Sequence, residues 1–330
     1  MSTANPVPET FDLTGSDAKE TLARTGRVRL LRDAFERLRA SDGFSHARSM
    51  AFLTSLILVQ GVIALVGLAS ALGSGRVSEA IVGMLKEVFP GPAGAVLTDA
   101  VKQAHEAGSQ SRSLALTLGL VGAIVTGTIL LGQIERAMNR LYGVEQDRPT
   151  TKKYGRAFVL TLSAGLLAVV AFIAMTLGRS AGSLFDSPSA HDVWNVLRWP
   201  LAFAFLTGAT ACVFRWSPRR HQPEWSWLAI GALVSVIFVL LVTMALSGFF
   251  LLSSTFGQTY GPLAGFVAVL LWTLLTSIAL LYGVAIAAQL EAVRAGVPAP
   301  RRPTESDGAP ASEVPRSDAR SKPAAVSAAP

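Results

Sequence analysis

The sequence predicts an all-α polytopic membrane protein with six transmembrane helices, both termini in the cytoplasm, and amphipathic helices outside the spans. Three observations carry this. From Ser226 to Leu290 there is no Asp, Glu, Lys, Arg or His, and the flanks of the polar break in that stretch each exceed the roughly 20 apolar residues a spanning helix needs. Hydrophobic residues make up 51% of the chain and charged residues only 15%, with mean hydropathy +0.44. The charges are gathered into the termini and two loops, as topology determinants of a multi-span protein are.

Residues 1–22 are polar, lack the apolar h-region of a signal peptide, and have nothing to bury, so a disordered tail is expected. Over 23–49, Leu30, Leu31, Ala34, Phe35 and Leu38 recur at helical spacing among Arg27, Arg29, Arg32, Arg37 and Arg39. This is a basic amphipathic helix, expected either to lie on the anionic cytoplasmic leaflet or to pack on the protein's own loops. The membrane domain runs over 50–292, with a first span at 50–72 that carries Thr54, Ser55 and Gln60. An amide in hydrocarbon is costly without a partner, so Gln60 should face the bundle interior, as interhelical glue or as a cavity lining.

Residues 73–112 are too polar to span. Val77, Ala80, Ile81, Met84, Leu85 and Val88 form one helical face before Pro90-Gly91-Pro92, and Leu97, Ala100, Val101 and Ala104 a second, predicting an outer cap of two amphipathic helices. The second span covers 114–131 and leads into GQIERAMNRLYGVEQ, in which Glu135 and Asn139 share a helix face. The remaining spans are 158–177, 199–214, 227–252 and 263–289. Arg198 and Pro200 stand at the entrance of the fourth, where proline in a first turn is tolerated and arginine snorkels to the headgroups. Residues 293–330 are rich in Pro, Ala and Ser and are expected to be a disordered tail.

Of 29 Lys and Arg residues, 8 lie before the first span, 6 in 132–156, 3 in 215–226 and 6 after the last span, whereas the opposite segments hold 4, 2 and none. The positive-inside rule therefore places both termini in the cytoplasm of a plasma (inner) membrane protein. Trp194 and Trp199 mark one interface, and Trp216, Trp225 and Trp227 the other. With Arg27, Arg29, Arg32 and Arg198 they form the expected membrane-interface set. The formal charge of +7 is absorbed by this topology and implies no nucleic-acid partner.

Enzyme constellations are absent from the sequence. His46, His105, His191 and His221 fall in four segments without metal-ligand spacing, and there is no P-loop, dinucleotide fingerprint or G-x-S-x-G elbow. The one cysteine, Cys212, sits in an apolar run and leaves no intrachain disulfide. No catalytic residue, metal or cofactor is expected. No acid lies deep in a span, so the relay of an ion-coupled transporter is not evident. The polar break SSTFGQTYGP at 253–262 reads as an outer loop or as a short re-entry of non-helical backbone. Gly261, Gly265 and Gly283 would let the last two spans approach their neighbours closely. Gln60, Glu135, Asn139, Tyr260 and Trp272 are the residues expected to line or gate an interior cleft.

Several of these segments together resemble the YihY/BrkB family of bacterial inner-membrane proteins, the group including YhjD. They are the basic helix before span one, ERAMNRLYGV (135–144), FRWSPRR (214–220), and above all TYGPLAGFVAVLLWTLLTSIALLYGVAIAAQLE (259–291). The resemblance spans roughly residues 27–295. Ala287-Ala288-Gln289 stands where the family carries an acid-bearing motif, with Glu291 slightly later, and Phe52 and Gln60 replace its Tyr and Pro positions in span one. The resemblance implies six spans with cytoplasmic termini. Family members have carried the name ribonuclease BN, and others are linked to virulence, serum resistance or export of envelope lipid. The ribonuclease reading fits poorly here, because no set of carboxylates or histidines could hold a catalytic metal on the cytoplasmic side. The expectation is a non-enzymatic protein that moves or organises envelope lipid or another amphiphile, with membrane lipids and envelope proteins as partners. A structural or interaction protein with no translocated substrate is the alternative.

Overall fold

A computed structural model describes residues 3–11, 13–71, 82–83, 85–86, 89, 91–107, 112–180, 188–253 and 263–302. Its helices are α1 (Gly15–Thr25), α2 (Arg27–Ala40), α3 (Gly43–Ala71), α4 (Gly91–Ala107), α5 (Arg112–Leu141), α6 (Thr150–Ser180), α7 (Pro188–Trp216), α8 (Trp225–Leu252) and α9 (Leu263–Arg294). Among the described residues five segments are long and apolar enough to cross a membrane: Gly43–Ala64, Leu116–Leu141, Val196–Trp216, Trp225–Leu252 and Leu263–Arg294. The expected span at 158–177 lies in α6, whose side chains at 171–180 are outside the described ones.

The six long helices among the described residues pack in chain order and close on themselves. Helix α3 lies on α5, α5 on α6, α6 on α7, α7 on α8, α8 on α9, and α9 returns to α3. Helix α9 is the best covered, touching α1, α2, α3, α4, α5 and α8. Small side chains let it be so: Ala268, Ala279, Gly283, Ala285, Ala287 and Ala288 are all buried. At its crossing with α8 the two backbones nearly touch. A Cβ on Gly283 would fall 2.5 Å from the Gly231 carbonyl and collide with Ser235 Oγ.

Several expectations are corrected. The segment read as a disordered tail, 1–22, is structured from residue 3. Residues 3–10 form a strap: Thr3 N–H donates to Ala40 O (2.9 Å), Asn5 N–H to Pro300 O (3.1 Å) and Val7 N–H to Tyr142 O (3.0 Å). Helix α1 follows, its start set by Asp17 accepting from the Thr14 N–H at 2.9 Å. It docks through Gly15 N–H on Ser226 Oγ (2.9 Å) and through Arg294 on Asp17 and Glu20 (3.3 and 3.2 Å). Polar composition misled because these groups find partners hundreds of residues away rather than a core of their own. The C-terminal boundary moves likewise. Residues 297–302 fold back, with Val297 N–H on Ala292 O (2.9 Å) and Arg302 N–H on Thr3 O (2.9 Å), while 303–330 lie outside the described residues.

The basic amphipathic helix is α2, 27–40; the rest of 23–49 belongs to the end of α1, which runs to Thr25, and to the start of α3 at Gly43. Helix α2 buries Leu30, Ala34, Arg37 and Leu38, packing on α9, and leaves Val28, Leu31 and Phe35 exposed. Pro200 is not in a first turn, because α7 begins twelve residues earlier at Pro188; the apolar window understates the helix. Of the expected cap, α4 is present and buries Ala93, Leu97, Thr98 and Val101, packing on α3 and α9. The helix face expected at 77–88 lies mostly outside the described residues.

Candidate functional site

Helix α5 runs ten residues past the expected end of its span, and this extension starts a strongly polar buried region among the described residues. At the same end meet the 142–149 and 217–224 loops, the ends of α2 and α9, and the strap. The hub has two halves.

In the first, Asp147 collects the cations around it. Its carboxylate lies 3.1 Å from Arg136 Nε, 3.7 Å from Arg140 Nη2 and 3.5 Å from Lys153 Nζ, and accepts from Asn139 Nδ2 at 3.1 Å. Burial pushes the Asp147 carboxyl up, but Asn139, Lys153 and Arg136 together hold it below its ordinary range. Asn139 Oδ1 also accepts from the Arg219 N–H (2.8 Å), so one amide ties the 142–149 and 217–224 loops together. Glu135 pairs with Arg148 at 3.1 Å, and the same guanidinium donates to the carbonyls of Ser217 (2.6 Å) and Pro218 (2.5 Å).

In the second half, Glu291 and Arg220 form an ion pair whose side chains are 0% and 1% exposed, at 2.7 and 3.0 Å. Thr10 Oγ1 donates to Glu291 at 2.6 Å, Arg220 donates to Pro8 O at 3.0 Å, and its guanidinium lies 4.4 Å over the Tyr142 ring. Arg37, wholly buried, donates to Gln289 Oε1 (2.8 Å), Asn5 O (2.8 Å) and Leu141 O (3.1 Å). Gln289 turns its amide N–H to Pro298 O at 2.6 Å. Burial brings the Arg37 guanidinium down to about 10, with the neighbouring Arg220 charge acting in the same direction. Burial, reinforced by the Glu291 charge, pushes the Tyr142 hydroxyl above its usual range.

Glu135 and Asn139 thus meet in the hub, whereas the other expected cleft residues lie elsewhere. Gln60 packs between α3 and α5, where a Cβ on Gly122 would sit 3.1 Å from its carboxamide carbon, and its Oε1 is buried with no hydrogen-bond partner among the described residues. Trp272 donates to Thr243 Oγ1 (3.0 Å) and stacks edge-on against Phe89, centroids 4.8 Å apart. Nearby, Ser55 and Thr273 hydroxyls bond at 3.0 Å across α3 and α9. Gly265 faces α4, where a Cβ would lie 2.8 Å from Pro92 O. Tyr260 and Gly261 lie outside the described residues.

Of the interface set, Arg27, Arg29 and Arg32 are exposed on α2, the last two beside Asp33 (3.8 Å) and Glu36 (3.3 Å). Arg29, Arg32, Asp33 and Glu36 line a shallow surface groove with Val28. Arg198 lies 5.6 Å over the Trp199 ring, and Trp216 and Trp225 form an exposed edge-to-face pair at 5.2 Å. The Trp194 side chain is outside the described ones. Trp227 is a correction: it is 1% exposed, in the same core cluster as Phe214 and Leu228, because α8 buries its first turn.

Sequence reasoning missed Arg37, Tyr142, Asp147, Arg148, Arg220, Gln289 and Glu291. One signal was available. Arg37 falls on the apolar stripe of Leu30, Ala34 and Leu38, and a charge on the buried face of an amphipathic helix marks a specific partner. Asp147, Glu135 and Glu291 are each held by a cation, and among the described residues no three His, Cys, Asp or Glu side chains gather to hold a metal ion. The arrangement can tie segments together and present positive charge.

The family described as Virulence factor BrkB matches residues 34–307. The ribonuclease-like protein YfkH of Bacillus subtilis is 22% identical over 258 residues, covering 77% of this chain and 92% of its own length. A UPF0761 membrane protein of Chromohalobacter salexigens is 25% identical, over 80% of this chain and 63% of its own. Another, Rru_A2625 of Rhodospirillum rubrum, is 29% identical, over 74% of this chain and 54% of its own. The chain therefore spans less than two thirds of these two UPF0761 proteins. No solved structure matches it. The matched range contains α5, both hub loops and α9, so the hub is built largely from its residues.

Proposed function

The chain belongs to the Virulence factor BrkB family, and from that premise we propose that it is a non-enzymatic, six-span inner-membrane protein, both termini cytoplasmic, that moves or organises envelope lipid or another amphiphile. The observation that carries this reading is the chemistry of the mid-span contacts. Among the described residues these are made by hydroxyls, an amide and an indole: Ser55 with Thr273, Thr243 with Trp272, and Gln60 against Gly122. Such groups suit the passage or seating of a partly apolar molecule, where an ion path would need buried charge. The exposed Val28, Leu31 and Phe35 of α2, flanked by Arg27, Arg29 and Arg32, support contact with an anionic lipid surface.

The test is lipid scrambling in reconstituted vesicles, with Gln60→Ala and Tyr260→Ala as probes. Flux above that of empty vesicles, reduced in either variant, supports the reading; flux unchanged in both removes these residues from the mechanism. A protein that scrambles no faster than empty vesicles leaves the second reading, a structural or interaction protein, which the backbone-close packing of α8 on α9 favours. Orientation is tested separately, by the accessibility of a C-terminal tag in intact cells.

A further inference from the structure

We propose that the strap, residues 3–10, occupies an oxyanion site built by Arg37 and Arg220, which takes a phosphate-bearing ligand when the strap lifts. Arg37 and Arg220 are both buried at the inner end of α9, yet Glu291 is the carboxylate given to them, and it pairs with Arg220. Among the described residues Arg37 donates to neutral acceptors, the Gln289 amide and the carbonyls of Asn5 and Leu141. A buried guanidinium without a counter-anion is costly, and this half of the hub holds one positive charge in excess. Both guanidiniums also keep a buried donor, Arg37 Nη2 and Arg220 Nε, without a hydrogen-bond partner among the described residues.

The acceptors they do have come in part from the strap. Asn5 O takes Arg37 Nη1 at 2.8 Å, Pro8 O takes Arg220 Nη2 at 3.0 Å, and Thr10 engages Glu291 at 2.6 Å. Carbonyl oxygens here stand where the oxygens of an anion would, and planar guanidinium forks match phosphate geometry. Hydrogen bonds rather than apolar burial hold the strap, since Ala4 and Val7 are its only buried side chains. A segment that buries so little apolar surface opens at low free-energy cost. The ligand is a phosphate group, free or on a lipid headgroup, and the site stands independently of whether lipid crosses the membrane.

The strap can be locked. Ala4 pairs with Arg301 in an antiparallel bridge flanked by the Asn5–Pro300 and Arg302–Thr3 bonds. This is the non-hydrogen-bonded kind of pair, whose Cα atoms lie about 4.5 Å apart, within disulfide reach. In full-length protein carrying Cys212→Ser, Ala4→Cys and Arg301→Cys, binding is measured reduced and oxidised, with inorganic phosphate by calorimetry and phosphatidylglycerol by native mass spectrometry. Reduced protein is expected to bind at least one probe, and oxidised protein to bind it about tenfold more weakly, as does Arg37→Gln, the usual effect of losing a charge-assisted contact. Phosphatidylglycerol alone assigns a lipid headgroup, and inorganic phosphate a free anion. Reduced protein that binds neither probe, or equal binding with the lock open and closed, overturns the proposal; if Arg37→Gln does not fold, the lock comparison decides alone.

Discussion

Replacing Glu291 with Gln tests whether the hub holds the inner end of the bundle together. The side chain keeps its shape but loses its charge, leaving Arg220 and Arg37 buried without an anion between them. Three contacts change: the amide oxygen keeps Thr10 (2.6 Å) and Arg220 Nη2 (2.7 Å) but without a charge, while the amide N–H2 replaces the oxygen that Arg220 Nη1 held at 3.0 Å, so that bond is lost. Removing one partner of a buried pair typically costs about 3–5 kcal/mol, because the other charge stays uncompensated. Removing both costs less, so Arg220→Gln/Glu291→Gln should recover at least about half of the loss. The assay is a double-mutant cycle on reversible SDS-induced unfolding in mixed micelles. A loss below about 1 kcal/mol for the single variant, the size typical of exposed pairs, refutes the reasoning, as does a double variant no better than Glu291→Gln.

Three further outcomes follow from the geometry. Gly283→Ala should destabilise by about 1–3 kcal/mol, because the added Cβ meets both Ser235 Oγ and the Gly231 carbonyl, the latter at 2.5 Å, and Ser235→Gly should restore only part of it, since the backbone clash remains; the same unfolding assay reads both. Asp147 is held below its unfolded value of 3.8, so its contribution is present above that pH and is lost as the pH falls through its lower folded pKa; Asp147→Asn should abolish that part of the acid dependence in a stability-versus-pH series. Trp272→Phe keeps the Phe89 contact but leaves Thr243 without its indole donor, and should cost about 0.5–1.5 kcal/mol; Thr243→Val should cost a similar amount, and the double variant little more than either.

Much of the architecture is legible in particular residues. The uncharged run from Ser226 to Leu290 contains the two helices α8 and α9, and Leu30, Ala34 and Leu38 mark the buried face of α2. The failures share a cause. Helices α5 and α7 extend beyond their apolar windows, because polar turns stay helical when neighbours satisfy them. Trp227 looks like an interface tryptophan by position, but the packing of the first turn of α8 decides that it is buried.

By itself the sequence determined the fold class, and with it the apolar helices and the uneven placement of arginine, since hydropathy and charge act residue by residue and need no partner to be read. Tertiary structure alone decided the hub. Arg37 and Gln289 are 252 residues apart, Thr10 and Glu291 281 apart, and neither pair carries any local periodicity. Which charge is buried, and against what, is a property of the folded contact: desolvation and pairing appear only once the chain has brought the groups together.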